Sequence, residues 1–149
     1  MADLPTPSEG ILLTHFIVSD DVERSRRFYT EVLGGETVFH GDASNGEPWI
    51  IALANGWVTI NVGGGPTADK PTVTLETPAD PDRVNSFLNI RVADIHAVIR
   101  DWGARGAEFL TPAIDRGVEL RCYMRDPDGH LIEVGQATGM MEAAPDSQG

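Results

Sequence analysis

Four polar side chains interrupt apolar, strand-like segments of this chain, and they are the first candidates for chemistry. They are His15, Asn61, Asn89 and Glu133. Glu133 is the one carboxylate in the run from His130 to Gln136, and a carboxylate inside an apolar strand needs a group that pairs with it or coordinates it. Imidazole and carboxylate are also common metal ligands and proton-transfer groups. These positions therefore predict a site that binds a metal or a small molecule.

The elements that must position these residues follow from hydrophobic periodicity. Ser19 or Asp20 is the expected N-cap of the first helix, and Asp94 lies in the expected cap of the second. The first half is predicted to contain a strand at 11–18, a helix ending at 33, and strands at 36–40, 49–54 and 57–62. The second half is predicted to contain a strand at 86–92, a helix at 95–104, and strands at 107–110, 118–125 and 130–136.

The two halves can be aligned as an internal repeat. Asp20 and Asp94 are separated by 74 residues, and after the helix the offset falls to 72, as between Ile60 and Ile132. This register pairs His15 with Asn89 and Asn61 with Glu133. Strand alternation would then direct all four side chains away from the helices. The predicted fold is α+β, with two βαβββ modules whose curled mixed sheets surround a shared cleft and whose helices lie outside.

The predicted boundaries make one domain from two modules. Residues 1–10 are a flexible lead-in, 11–62 the first module, 63–85 a Gly/Pro-rich linker, 86–136 the second module and 137–149 a flexible tail.

Composition excludes several classes of partner. The chain has 149 residues and a net charge of −12, which argues against nucleic acid and against anionic lipid, since both need clustered basic residues. Its apolar runs are shorter than the roughly 20 residues that cross a bilayer. The N-terminus lacks a secretory signal pattern, and the single Cys122 is consistent with a reducing compartment. We expect a cytoplasmic protein.

Four further residues are predicted to bind a substrate or ligand. Arg121 and Tyr123 alternate on a strand beside that of Glu133, and Arg91 shares the predicted face of Asn89. Trp49 begins a strand of the hairpin around Asn55-Gly56 and is a candidate for the mouth of a cavity or for a dimer seam.

Each of these candidates also has a structural interpretation, which the sequence leaves open. His15 could be a core histidine, Glu133 could pair with Arg91 or Arg121, and both asparagines could form structural hydrogen bonds.

Four segments resemble the vicinal oxygen chelate superfamily, which includes glyoxalases, bleomycin-resistance proteins and extradiol dioxygenases. Their sequences are THFIVSD at 14–20, SRRFYTEVLG at 25–34, NIRVADI at 89–95 and DPDGHLIE at 126–133. The resemblance covers residues 11–136. It implies paired βαβββ modules, a homodimer, and in many members a divalent metal held by residues of the first and last strands.

The resemblance also implies a ligand set. His15 and Glu133 match the types of residue that bind metal in the family, whereas Asn61 and Asn89 stand where it often has Glu, Gln or His. An asparagine carbonyl is a weak donor for Zn²⁺, Ni²⁺ or Fe²⁺, but such a set could hold Mn²⁺ or Mg²⁺ with water.

Three functions are compatible with these observations. The first is a metal-dependent lyase, isomerase or dioxygenase-type enzyme in which Glu133 is a metal ligand or catalytic proton shuttle. The second is a metal-free protein that binds or sequesters a drug or metabolite, and the acidic balance would favour a cationic ligand. The third is a non-catalytic dimerising module.

Overall fold

Two segments of the chain each form a strand, a helix and three further strands, as the repeat predicts. The computed structural model describes residues 10–138, so most of the predicted lead-in and tail lies outside the described residues. Among the described residues, the first compact unit comprises 10–84 together with Asp126–His130, and the second comprises Asn85–Arg125 and 131–138.

The first unit contains a four-stranded mixed sheet. Its elements are β1 (Thr14–Val18), α1 (Val22–Arg27), a π-helical continuation (Phe28–Val32), β2 (Glu36–His40), β3 (Trp49–Leu53) and β4 (Gly56–Asn61). The strand order is β1-β4-β3-β2, with β1 parallel to β4 and the other pairs antiparallel.

The second unit repeats this topology. Its elements are β5 (Leu88–Arg91), α2 (Ile95–Ala104), β6 (Ile114–Asp115), β7 (Glu119–Arg125) and β8 (Leu131–Ala137), in the sheet order β5-β8-β7-β6. The α+β class and the two βαβββ modules are therefore confirmed. The strand predicted at 107–110 is wrong: that segment contributes one isolated bridge, Phe109 to Met124, and the edge strand is Ile114–Asp115.

Alternation along the strands separates a core face from an open face in each sheet. In the first unit Ile17, Val58 and Ile60 are buried together with Tyr29 of the helical segment. In the second unit the fully buried side chains include Cys122, Met124, Ile132, Val134 and Ile95 of α2. Burial raises the pKa of the Cys122 thiol to about 11, so this cysteine is an unreactive core residue, as the sequence indicates.

The turn that precedes β8 belongs to the first unit. Tyr29 donates a hydrogen bond to Asp126 at 2.9 Å, and Ser25 donates one to Asp128 at 2.9 Å. Arg24 pairs with Asp128 at 2.8 Å, and a ring nitrogen of His130 lies 2.7 Å from the carbonyl oxygen of Val18. Burial raises the pKa of Asp126. The turn therefore provides buried polar partners for the first unit.

The helix caps show that the repeat register proposed from the sequence was wrong by one residue. Asp21, not Ser19 or Asp20, caps α1 by accepting from Arg24 N, just as Asp94 caps α2 by accepting from Ala97 N. The offset between equivalent residues is therefore 73 (Asp21 to Asp94) in this region. A one-residue slip exchanges the two faces of a strand, and this matters for the site.

Helices long and apolar enough to cross a membrane are absent from residues 10–138.

Candidate functional site

The open face of the second unit's sheet carries a row of polar side chains, which we call the polar face. In the sheet register Asn89 of β5, Glu133 of β8 and Tyr123 of β7 lie side by side. The next row contains Arg91, Gly135 and Arg121. The polar face consists of Asn89, Arg91, Glu119, Arg121, Tyr123 and Glu133.

Glu133 is buried on this face and already has two partners. The Asn89 side-chain amide donates to one carboxylate oxygen at 3.2 Å. The Nε atom of Arg121 lies 3.0 Å from the other oxygen. The predicted nearness of Asn89 and Glu133 is therefore present within the second unit, and the structural pairing of Glu133 with Arg121 is present as well.

Glu119 is the second buried carboxylate of the polar face. Its oxygens accept from Arg91 Nη1 at 2.7 Å and from Arg121 Nε at 2.6 Å, and Arg121 Nη2 also contacts it. Burial alone would raise the pKa of Glu119. The hydrogen bonds and charges of Arg121 and Arg91 outweigh this effect of burial, so the pKa lies below its usual value. The face therefore alternates charge as Arg91, Glu119, Arg121, Glu133.

Gly135 creates the space that Arg91 occupies. A Cβ atom at this position would collide with the Arg91 guanidinium, at both Nη1 and Cζ. Arg91 can therefore extend across β8 and reach Glu119 on β7 because residue 135 has no side chain.

An aromatic pair adjoins the charged residues. The rings of Phe87 and Tyr123 meet edge to face, with centroids 5.9 Å apart and planes at 76°. Phe87 remains 38% exposed, so the pair presents an apolar surface to solvent beside the polar face.

His15 projects from the core face of its sheet, whereas the sequence predicts the open face. It pairs with Val58 in the β1–β4 register, and Ile17 pairs with Ile60. Paired residues of parallel strands project from the same face, so His15 shares the core face of the first unit's sheet. It is partly buried, and this burial, followed by the charge of His130, lowers its pKa. Its predicted orientation away from the helix is therefore wrong.

Asn61 and His15 project from opposite faces of their sheet. Asn61 pairs with Val18, three positions from His15 along β1. Its side chain donates to Gly46 O at 3.1 Å and accepts from Val62 N at 2.8 Å, so it performs the structural role that the sequence left open.

Trp49 is on the helix side of the first unit. Its ring lies 3.4 Å from that of His40 and 5.6 Å from the Arg26 guanidinium, measured at the centroids. It borders a cavity of about 480 Å³ whose walls also include Glu23, Asp42 and Glu47. A ligand-binding role for Trp49 stays a prediction.

The predicted metal ligands do not fit a divalent ion as a set. In the first unit His15 and Asn61 occupy opposite faces, and in the second the carboxylate of Glu133 is neutralised by a guanidinium. A metal at Glu133 would have to displace Arg121 and face the positive charge of Arg91. Within residues 10–138, no group of three or more His, Cys, Asp or Glu side chains is placed to hold a metal ion.

Sequence reasoning missed one residue of the polar face, Glu119, and the glycine that makes room for Arg91, Gly135. Glu119 alternates with Arg121 and Tyr123 on β7, and that alternation was a usable signal for it. Gly135 interrupts an apolar strand, which indicates a bulge or the close approach of another group.

The chain belongs to the Glyoxalase/Bleomycin resistance protein/Dioxygenase superfamily, whose model matches residues 12–134. This family agrees with the resemblance found in the sequence and with the two βαβββ modules.

The chain is similar to several proteins that have different names. The chain is 27% identical over 129 residues to the virulence protein STM3117 of Salmonella typhimurium, covering 83% of each chain. It is similar in fold to TnmS3, an antibiotic binding protein from Streptomyces sp. CB03234, with 18% identity, a TM-score of 0.65, and coverage of 89% of this chain and 100% of the other. It is also similar to the fosfomycin resistance protein FosX of Mesorhizobium loti, with 21% identity, a TM-score of 0.62, and coverage of 91% and 98%.

Proposed function

We propose that this protein binds a small organic molecule on the polar face without a metal ion. The observation that carries the proposal is the Arg121 guanidinium, which lies between two buried carboxylates, Glu119 and Glu133. A fixed cation already occupies the position beside Glu133 where a metal would be expected. Binding or sequestration then depends on hydrogen bonds and aromatic contacts rather than on coordination.

The family and its named members support this proposal. TnmS3 is described as an antibiotic binding protein, so the fold is compatible with binding. His15 projects from the core face of its sheet, so the proposed ligand contacts include Glu133 and not His15.

The test combines metal analysis with ligand mapping. Protein purified without chelator is expected to contain much less than one equivalent of Mn, Ni, Zn or Fe. In a screen of drug-like compounds by ¹H–¹⁵N NMR, hits are expected to shift β5, β7 and β8 equally with and without EDTA.

Variants assign the binding to the polar face. Glu133→Gln removes one of the two carboxylates that hold the Arg121 guanidinium and is expected to change the affinity of the hits by about tenfold, the effect of altering a charge-assisted contact. Glu36→Gln, at an exposed position of β2, is the control and should change nothing. One tightly held metal per chain, lost together with binding in Glu133→Gln, would contradict the proposal.

A metal-dependent enzyme is the second candidate function. The observation that favours it is that Glu133 and Asn89 place two oxygen donors in register on one face. It predicts that Mn²⁺, Ni²⁺, Zn²⁺ or Fe²⁺ binds stoichiometrically and broadens the NMR signals of β5 and β8 where the ion is paramagnetic. Isothermal titration with each metal decides between the candidates.

The homodimer expected from the resemblance is part of the same proposal. Ile11 and Leu13, immediately before the edge strand β1, are 88% and 81% exposed, and Phe16 of β1 is 45% exposed. Apolar surface of this kind favours association with another chain. Light scattering coupled to size exclusion would show a mass near twice 16.1 kDa if the dimer forms.

A further inference from the structure

We infer that the ligand of the polar face carries a carboxylate-type anion attached to an aromatic ring. Arg91 and Arg121 bind the anion, and the Phe87–Tyr123 pair packs against the ring. This inference rests on the proposed function, and it specifies the chemical class of ligand that the same face selects.

The acidic side chains of the polar face are more deeply buried than the basic ones, and this difference determines the charge expected of the ligand. The carboxylate side chains of Glu119 and Glu133 are 4% and 8% exposed, whereas those of Arg91 and Arg121 are 40% and 34% exposed. The negative groups therefore lie beneath the positive ones, and an incoming molecule meets guanidinium groups first.

The guanidinium groups have hydrogen-bonding capacity beyond their ion pairs. A guanidinium carries five N–H donors in a planar fork. The carboxylate contacts engage Nη1 of Arg91, and Nε and Nη2 of Arg121. Both side chains are at least a third exposed, and a planar anion with two oxygens can accept from the donors of the forks that these contacts leave unused.

Gly135 is the specificity-determining position in this arrangement. It allows the Arg91 guanidinium to lie across β8 at the level of Arg121, since the two arginines flank Gly135 in the sheet register. A Cβ at residue 135 would push the end of the flexible Arg91 side chain away. The fold can tolerate that displacement, whereas a two-arginine anion site cannot.

The aromatic requirement comes from the neighbouring rings. Phe87 is exposed at the edge of the polar face and meets Tyr123 edge to face. A flat ring attached to the anion would bury this apolar surface and stack in the offset geometry that aromatic rings prefer.

The overall charge of −12 does not exclude an anionic ligand. The field of distant charges is screened over a Debye length of about 8 Å at physiological salt. Binding is therefore decided by the groups on the polar face, and the cationic ligand expected from composition is replaced by an anionic one.

Three probes of the same size and shape test the sign of the ligand. They are 2-naphthoate, neutral 2-naphthamide and the cation of 2-(aminomethyl)naphthalene, each titrated into the full-length protein and followed by ¹H–¹⁵N NMR, including the arginine Nε signals. Naphthoate is expected to bind at least tenfold more tightly than the other two and to shift β5, β7, β8 and the Nε signals of Arg91 and Arg121.

Two variants test the arrangement of the arginines. Arg91→Gln and Gly135→Ala are each expected to weaken naphthoate about tenfold and to weaken naphthamide by much less. Gly56→Ala is the matched control in another strand, because a Cβ there meets its nearest atom, Leu53 O, at an ordinary 3.7 Å. Equal loss of naphthoate and naphthamide binding in Gly135→Ala would overturn the proposed role of Arg91.

The outcomes separate this inference from the proposed function. Equal binding of the three probes on the polar face, or a preference for the cation, would overturn the inference and leave the proposed function standing. If neither the probes nor any compound of the wider screen shifts β5, β7 or β8, both are wrong.

Discussion

At the residue scale, the polar face depends on a balance between two buried carboxylates and two arginines. Glu119 receives hydrogen bonds from both arginines, and Arg121 also contacts Glu133. A buried carboxylate without such partners would be strongly unfavourable. The ion pair with Arg121 that makes buried Glu133 compatible with the fold also places a positive charge beside it, which opposes a metal ion at that position.

The lowered pKa of Glu119 predicts that the folded protein loses stability in acid. Its folded-state pKa is lowered by Arg121 and Arg91 against the effect of burial, so its stabilising contribution is complete above its unfolded pKa of about 4.3. The contribution is lost as the pH falls through the lower folded-state pKa. Urea unfolding of wild type and Glu119→Gln should therefore differ most at pH 7 and converge towards pH 3. An unchanged difference at both values would contradict the prediction.

At the element scale, strand register decides which side chains can act together. The equivalent residues of the repeat are Phe16 with Asn89 and Thr59 with Glu133, because the register pairs Phe16 with Thr59 and Asn89 with Glu133. The open face of the first unit's sheet therefore carries Phe16 and Thr59 where the second carries an amide and a carboxylate. The chemistry of the repeat is asymmetric although its topology is symmetric.

His15 predicts a second pH effect, of different origin. Burial and the charge of His130 lower its pKa, so the folded state resists its protonation. Stability from this residue is complete above the unfolded pKa of about 6.5 and falls as the pH decreases from there towards the folded-state pKa. His15→Gln should reduce the loss of unfolding free energy between pH 7.5 and pH 5.5, measured in urea. An identical pH dependence in both proteins would show that His15 titrates normally.

The junction between the helical segment and β2 predicts a contrast between two glycines. A Cβ at Gly35 would lie 2.6 Å from Ile51 Cγ2 and 2.8 Å from the carbonyl oxygen of Tyr29, so Gly35→Ala should destabilise the protein by about 1–3 kcal/mol through overpacking. Gly103 in α2 has open space around it, and Gly103→Ala should stabilise by roughly 0.5–1 kcal/mol. Urea midpoints that move in the same direction for both variants would refute this explanation.

At the scale of the whole molecule, the chain path makes the first unit depend on a distant turn. Asp126–His130 is separated in sequence from the rest of that unit, yet it provides the acceptors for Tyr29 and Ser25. Both donors belong to buried residues, and a buried donor without an acceptor costs about 1–3 kcal/mol. The repeat is therefore not a pair of separable halves.

Truncation tests this dependence. A fragment ending at Val84 retains the sheet of the first unit but loses Asp126 and Asp128, and we expect it to lack a cooperative unfolding transition by circular dichroism. Tyr29→Phe in the full chain removes one of the same hydrogen bonds and should cost about 1–3 kcal/mol while the fold is retained. Cooperative unfolding of the fragment with wild-type stability would contradict the prediction.

The sequence by itself determined the element types, their order and the family. Periods of 2 and 3.6 residues, together with the cap and turn residues, are local signals, and they identified α1, α2 and seven of the eight strands that residues 10–138 contain. The sequence also predicts that five polar residues share one face, because alternation within β5, β7 and β8 is a local property. These residues are Asn89, Arg91, Arg121, Tyr123 and Glu133.

Only the tertiary structure decided the register between the two halves and the partners of each charge. Moving the alignment from an offset of 74 to 73 transferred His15 to the core face, since one residue exchanges the faces of a strand. The pairing of Arg91 with Glu119 requires three adjacent strands and a glycine between them. Such contacts depend on how strands distant in sequence are aligned, and periodicity within a single segment contains no information about that alignment.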